Sequence, residues 1–164
     1  MSSTSQLPVI TGEDTQPVRK PLWIDPPDQW ENLDLLNYVA LPAVGAQATI
    51  LTFQVPVGRN GVIKKVANNY VGAGWLEGSG TLVWQILIDG APPAGANSYA
   101  SILASLGSPA NPVEISGFRI YENQVLTVII QNVAPGIVPA GQLCGARLVG
   151  YLYPKEMESD ANWV

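Results

Sequence analysis

Hydrophobic and polar residues alternate with a period of two in several short segments of this chain. In the clearest segment, residues 81–89, one face is formed by Leu82, Trp84, Ile86 and Ile88. A period of two is that of a β-strand, because successive side chains of a strand point to opposite faces. Runs rich in β-branched and aromatic residues predict further strands at 47–55, 62–71, 117–121, 124–132 and 143–153.

Turn-forming residues separate these strands. Asn60–Gly61 and Asp89–Gly90 supply residues that tolerate positive φ, and Glu122–Asn123 is a tight connection. A Gly-rich connection covers 72–80, and a long one, 91–116, is of a length that is typical of functional loops. Short strands with such turns predict an all-β fold, a β-sandwich or barrel. Long connections mixed with tight turns favour jelly-roll or Greek-key wiring.

One segment carries a helical signal. Asp25 can cap a helix, and the Pro26–Pro27 pair and the acidic residues after it suit a first turn. Trp30, Leu33 and Asn37 share one face at helical spacing. The pattern predicts a short helix between residues 25 and 37.

These patterns divide the chain into four parts. Residues 1–20 form a polar N-terminal arm, 21–44 a short helix and linker, 45–154 the β-sandwich domain and 155–164 an acidic C-terminal tail. The arm holds too few apolar residues to offset the entropy of ordering it, so alone it is expected to be flexible. Two interpretations remain open: a free tail, or an arm that becomes ordered across a neighbouring subunit.

Charged residues are scarce, at 13% of the chain against a usual share of about 25%. A surface of neutral polar residues suits a body that neighbouring subunits partly cover. The net charge of −5, with 8 Lys and Arg in total, argues against nucleic acid as the main partner. No apolar run is long enough to span a membrane and no signal peptide is recognisable, so we expect a protein made in a cytoplasm.

The sequence contains few of the residue types that usually catalyse reactions. The chain has no His and one Cys, Cys144, which excludes His-based triads and zinc sites. Cys144 lies in an apolar run and is predicted to be buried and unreactive. A carboxylate pair would have to come from the acids that lie in or beside turns, namely Glu77, Asp89, Glu114 and Glu122. We therefore expect no enzyme activity, no cofactor and no metal.

Four segments together resemble a known group of proteins. They are 55–63 (VPVGRNGVI), 78–90 (GSGTLVWQILIDG), 121–126 (YENQVL) and 147–154 (RLVGYLYP). Their layout, over about residues 45–154, resembles small jelly-roll accessory proteins of tailed bacteriophage virions, which decorate capsids or sit at the neck. The resemblance implies a homo-oligomer, a trimer or dimer, docked on a major capsid or connector protein in the virion.

Aromatic residues outside the clearest strand are the candidate contacts: Trp23, Trp30, Trp75, Tyr99 and Trp163. The main hypothesis is a non-enzymatic capsid decoration (cement) or neck protein. The alternative is a carbohydrate-binding or receptor-binding module of a fibre, in which Trp75 and Tyr99 stack on a surface glycan. That alternative requires both rings to be exposed on one surface.

Overall fold

The computed structural model describes residues 29–93, 97–133 and 142–157. Within these ranges there is no α-helix, only two 3-10 turns, Asn97–Ala100 and Lys155–Met157. The rest is built from seven strands: β1 (Glu31–Ala40), β2 (Gln47–Gln54), β3 (Arg59–Val71), β4 (Leu82–Ile88), β5 (Val113–Ile120), β6 (Val125–Asn132) and β7 (Leu143–Pro154).

The strands form two antiparallel sheets that face each other. Sheet A has the order β1-β7-β3-β5 and sheet B the order β2-β6-β4. The predicted all-β fold and β-sandwich are confirmed. Successive strands alternate between the sheets, and the pairs β1–β7, β2–β6 and β3–β5 are nested within one another along the chain. The finer jelly-roll or Greek-key assignment stays a prediction.

The core lies between the sheets and is formed by alternate residues of their strands. From sheet B, the side chains of Leu82, Trp84 and Ile86 are buried, as the period-two pattern predicts, and Trp84 has no exposed surface. From sheet A, Ile63 and Leu148 are buried in the same cluster. Removing these apolar side chains from water is the main favourable term in folding.

The predicted helix at 25–37 is wrong over its described part, because residues 31–40 form β1. Leu33 is buried in the core and Leu35 and Val39 pack against it, so the segment also has a period of two. β1 pairs with β7 in one unbroken register of ten residues. Backbone pairing and core packing together outweigh a local helical preference. Sheet A therefore begins at Glu31, within the segment 21–44.

A turn is present in the predicted segment 55–61, but it is not formed by Asn60–Gly61, the residues expected to supply positive φ. The chain turns at Val57–Gly58, where Gly58 has φ +78°. Asn60 and Gly61 lie inside β3, and a Cβ on Gly61 would come within 2.7 Å of Leu152 and of the Tyr151 carbonyl oxygen. That glycine is needed for close strand packing. The turns at Asp89–Gly90 and Glu122–Asn123 are confirmed, with positive φ at Asp89, Gly90 and Asn123.

The predicted connection 91–116 is shorter than expected, because β5 already begins at Val113. Part of the connection between β4 and β5 is held against the sandwich by Asn68. This side chain is 3% exposed; its Nδ2 donates to the Ala104 carbonyl (3.1 Å) and its Oδ1 accepts from the Leu106 amide (2.9 Å). The next residue, Asn69, points to the opposite face, where its Oδ1 is buried without a partner among the described residues. Asn68 therefore fixes the connection by two hydrogen bonds, whereas the Oδ1 of the adjacent Asn69 accepts none within the described ranges.

We expect Asn68→Ala to lower the free energy of unfolding by about 1–2 kcal/mol, because it leaves two partly buried backbone groups unpaired. Asn69→Ala, the matched control, should cost less than about 1 kcal/mol, since it removes an oxygen that makes no bond. Urea denaturation of the two variants checks this, and equal losses would contradict the assigned role of Asn68.

Candidate functional site

Sheet B carries no charged residue in any of its three strands. The residues that alternate with its core positions form its outer face, which we call the neutral face. They are Gln47, Thr49, Thr52, Gln54, Val83, Gln85, Leu87, Val125, Thr127, Ile129 and Gln131. Covering such a face removes hydroxyl, amide and apolar groups from water but no ion, which avoids the largest desolvation penalty.

Glutamine side chains cross the neutral face in a ladder. Gln131 Nε2 lies 3.1 Å from Gln85 Oε1 and 3.4 Å from Gln47 Oε1, so the ladder joins β2, β6 and β4. Gln85 Nε2 in turn donates to the Ala100 carbonyl at 2.6 Å. These bonds hold the amide groups in fixed positions, where they can donate to or accept from a partner that docks on the face.

Sheet A differs, because every charged strand residue belongs to it. Arg147 donates to both carboxylate oxygens of Asp34 (Nε–Oδ1 2.8 Å), and Lys65 Nζ lies 3.4 Å from Glu114 Oε1. The hydrogen bond from Arg147 lowers the pKa of Asp34 below its ordinary value. Exposed pairs of this kind contribute about 0–1 kcal/mol each. Each pair keeps its own part of the outer face of sheet A in water, whereas Val62, Tyr151 and Tyr153 form a small buried apolar cluster on the same face.

One corner of sheet A is an exception, and we call it the β1 patch. Leu36, Tyr38, Val71 and Leu143 are 50%, 37%, 46% and 45% exposed. The strand register places Leu143 between Ala40 and Val71, and Gly145 beside Tyr38 in the next row of the same face. A Cβ on Gly145 would lie 2.4 Å from the Tyr38 ring, so the glycine lets this ring lie across β7. Leu36 and Tyr38 are thus exposed on the β1 edge strand, and Leu143 on β7 and Val71 on β3 extend the exposed apolar surface inward along the row of Ala40.

The predicted aromatic contacts separate into three groups. Trp30 is 48% exposed and meets Tyr151 edge-on, with ring centroids 6.4 Å apart. Trp75 and Tyr99 are half-buried and pack against the core. Trp23 and Trp163 lie outside the described residues. Only Trp30 is therefore seen as an exposed contact candidate.

The rings of Trp75 and Tyr99 pack against the core and do not form a shared exposed surface. The Trp75 ring packs against Trp84 (5.2 Å) and Tyr70 (5.9 Å), while Tyr99 packs against Phe118 (5.6 Å). Burial raises the pKa of the Tyr99 hydroxyl. These contacts do not provide the exposed two-ring surface that glycan stacking requires.

The groups considered for catalysis are engaged elsewhere in the fold. Cys144 is fully buried, as predicted, and burial raises the pKa of its thiol to about 12, so it stays protonated near neutral pH. Glu114 pairs with Lys65, and Asp89 Oδ1 accepts from the Val125 amide at 2.8 Å. Among the described residues, no cluster of three or more potential metal ligands occurs, and no helix is long and apolar enough to cross a membrane.

The sequence interpretation did not identify the neutral face or the β1 patch. The absence of charge in 47–54, 82–88 and 125–132 is visible in the sequence. Only the strand order shows that these three segments are neighbours in one sheet.

The chain matches no protein family model and no curated protein. Among solved structures, it is similar to a crystal structure of FLHE, with 18% identity, a TM-score of 0.39, and coverage of 73% of this chain and 96% of that one. It is also similar to a chain of the acidic stable capsid structure of Helicobacter pylori bacteriophage KHP30. There the identity is 13%, the TM-score 0.38, and the coverage 76% of this chain and 94% of the other. Similarity at this level supports no conclusion about function.

At the opposite end of the sandwich from the β1 patch, Glu122 joins two chain segments. Its carboxylate accepts from Lys155 Nζ (2.5 Å), just after β7, and from the Gly58 amide (2.9 Å) in the β2–β3 turn. The Lys155 bond, followed by the Gly58 bond, lowers the pKa of Glu122 below its ordinary value of 4.5. The ionised carboxylate therefore stabilises the folded state above that pH, and this contribution is lost as the pH falls through the lower folded-state pKa.

We expect Glu122→Gln to make the free energy of unfolding less steeply dependent on pH below 4.5 than in the unchanged chain. Denaturation curves recorded at a series of acidic pH values measure this slope. Glu77→Gln, in the Gly-rich connection, is the control and should leave the slope closer to that of the unchanged chain. Identical slopes for the unchanged chain and Glu122→Gln would contradict the interpretation.

Proposed function

We propose that this chain is a non-enzymatic structural protein of a bacteriophage virion, which stabilises the capsid as a cement or decoration protein, or the head–tail neck. In this proposal it docks through the neutral face. The observation that carries the proposal is the distribution of charge: none in the strands of sheet B, and ion pairs across sheet A.

This distribution suits a subunit in which a partner covers the outer face of sheet B, while the charged part of the outer face of sheet A stays in water. Sheet B can be covered without burying an ion, whereas covering sheet A would remove Asp34, Arg147, Lys65 and Glu114 from water. A protein that binds only the assembled state of its partner stabilises that state by mass action. The gain is about 2.7 kcal/mol per site when the free concentration is 100 times the dissociation constant.

The partners in this proposal are a second copy of the chain, as a dimer or trimer, and a major capsid or connector protein. Residues 1–20, outside the described part, would add contact area on a neighbour. The chain would be made in the host cytoplasm and end in the virion, with no cofactor, nucleic acid or membrane as partner. We do not propose the fibre module that binds glycans, because Trp75 and Tyr99 are half-buried and pack against the core, Trp75 on Trp84 and Tyr99 on Phe118.

The direct test measures whether the chain is present in purified phage particles, and in what amount. Particles from the strain that encodes the chain are banded on a density gradient, and the chain is quantified by mass spectrometry relative to the main shell protein. We expect it in the DNA-filled band at a fixed ratio. Finding it only in the soluble fraction would overturn the proposal.

Charge on the neutral face should prevent this association. Thr52 and Thr127 lie opposite each other on β2 and β6, and we expect Thr127→Lys or Thr52→Lys to reduce the chain per particle at least tenfold. A tenfold change in binding corresponds to about 1.4 kcal/mol, less than the penalty for burying an unpaired ammonium group. Ser116→Lys, at an exposed position of sheet A, is the matched control and should retain the ratio of the unchanged chain.

A further inference from the structure

Each sheet of the sandwich ends in two edge strands: β1 and β5 in sheet A, β2 and β4 in sheet B. The outer side of an edge strand presents backbone amides and carbonyls that another strand can pair with. Proteins usually protect such edges with bulges, Pro, charged residues or a covering segment. The four edges of this sandwich differ in that protection.

Three of the edges are protected. The edge of β4 is covered at its centre, where the Trp84 amide donates to the Ile102 carbonyl (3.0 Å) and the Ile102 amide to that of Trp84 (2.9 Å). β2 has a bulge between Thr49 and Leu51, and the Asn37 amide group caps the Ile50 carbonyl at 2.8 Å. The register between β5 and β3 is broken, and β5 contains Gly117 at φ +83°.

In the described part of the chain, β1 has no bulge and no covering segment, and its charged residues are confined to its first four positions. Its ten residues pair with β7 without a register shift, and they include no Pro and no Lys. Its acids, Glu31 and Asp34, lie in the first four residues, so the stretch from Leu35 to Ala40 is neutral. No strand pairs with its outer side in the part of the chain that the structure describes. Leu36 and Tyr38 of the β1 patch stand exposed on this strand.

We propose that β1 pairs with β1 of a second copy, antiparallel about a two-fold axis perpendicular to sheet A. Residues opposite each other in such a pair share a face, so Leu36 of one copy can lie opposite Tyr38 of the other. In that register Asp34 lies opposite Ala40, and the acids of the two copies are at opposite ends of the pair. Charge is compatible with this arrangement, because the acids of two copies that each carry −5 do not face each other in it.

The pairing has a geometric consequence for docking, which deepens the self-association in the proposed function. A two-fold axis perpendicular to sheet A keeps both outer faces of sheet A on one side of the dimer. Both neutral faces are then on the other side. A dimer of this form can dock on a shell at two points at once, and linked contacts bind more tightly than single ones.

The experiment is sedimentation velocity of the full chain over a range of concentrations. We expect a monomer–dimer equilibrium for the unchanged chain. Leu36→Lys and Tyr38→Lys, which place a charge on the edge, should weaken the dimer at least tenfold. Val57→Lys is the matched control: Val57 is 78% exposed in a turn at the other end of the sandwich, and this variant should dimerise like the unchanged chain. Circular dichroism of each variant checks that it is folded.

Hydrogen–deuterium exchange gives a second readout that needs no substitution. Amides of Leu35–Ala40 should exchange more slowly as concentration rises, whereas those of β5 should not change. A monomer at every concentration, a trimer, or a dimer unaffected by Leu36→Lys and Tyr38→Lys would each overturn the inference, because β1–β1 pairing closes at two copies. A dimer that is absent from virions would overturn the proposed function alone, and a monomer found in virions would overturn the pairing alone.

Discussion

The last strand of the chain, β7, lies in the middle of sheet A between β1 and β3, and both neighbours depend on it for their backbone pairing. Close approach is possible because small residues lie along β7. A Cβ on Gly150 would fall 1.9 Å from the Val62 carbonyl oxygen. The first and third strands cannot complete their sheet until the end of the chain is present. Contacts between residues this far apart in sequence are typical of slowly folding proteins.

The nested order of the strands also explains the separation of charge. Each strand lies in the opposite sheet from its predecessor, so neutral segments spaced along the chain come together in sheet B, while the segments between them form sheet A. Opposite charges then become neighbours in sheet A: Asp34 meets Arg147, although 113 residues separate them. The uncharged segments thus form sheet B and the charged segments form sheet A, so the two outer faces of the sandwich differ in charge.

The sequence predicted the features that depend on neighbouring residues. The two faces of 81–89, the β-strands, the sandwich and the buried Cys144 follow from period and composition, and the turns at Asp89–Gly90 and Glu122–Asn123 from their residue types. The sequence-based predictions were wrong where contacts with a segment distant in sequence determine the local structure. Residues 31–40 become a strand because β7 offers ten paired positions, and Asn60–Gly61 lies within β3 because Gly61 fits against Leu152. The neutral face and the β1 patch require the strand order, which no local pattern contains.

An isolated copy keeps two surfaces that are unfavourable for a free protein. The neutral face is hydrated only by uncharged groups, the Gln amides and Thr hydroxyls, and in the described part of the chain no segment covers the edge of β1, where Leu36 and Tyr38 are exposed. Surfaces like these favour aggregation unless something covers them. The net charge of −5 and the ion pairs of sheet A oppose uncontrolled association. Among the described residues, β2, β4 and β5 are protected and β1 is not, so β1 is the edge available for the proposed pairing, which would cover residues 34–40. In the proposed dimer the neutral faces of both copies would point in one direction, towards a single larger partner.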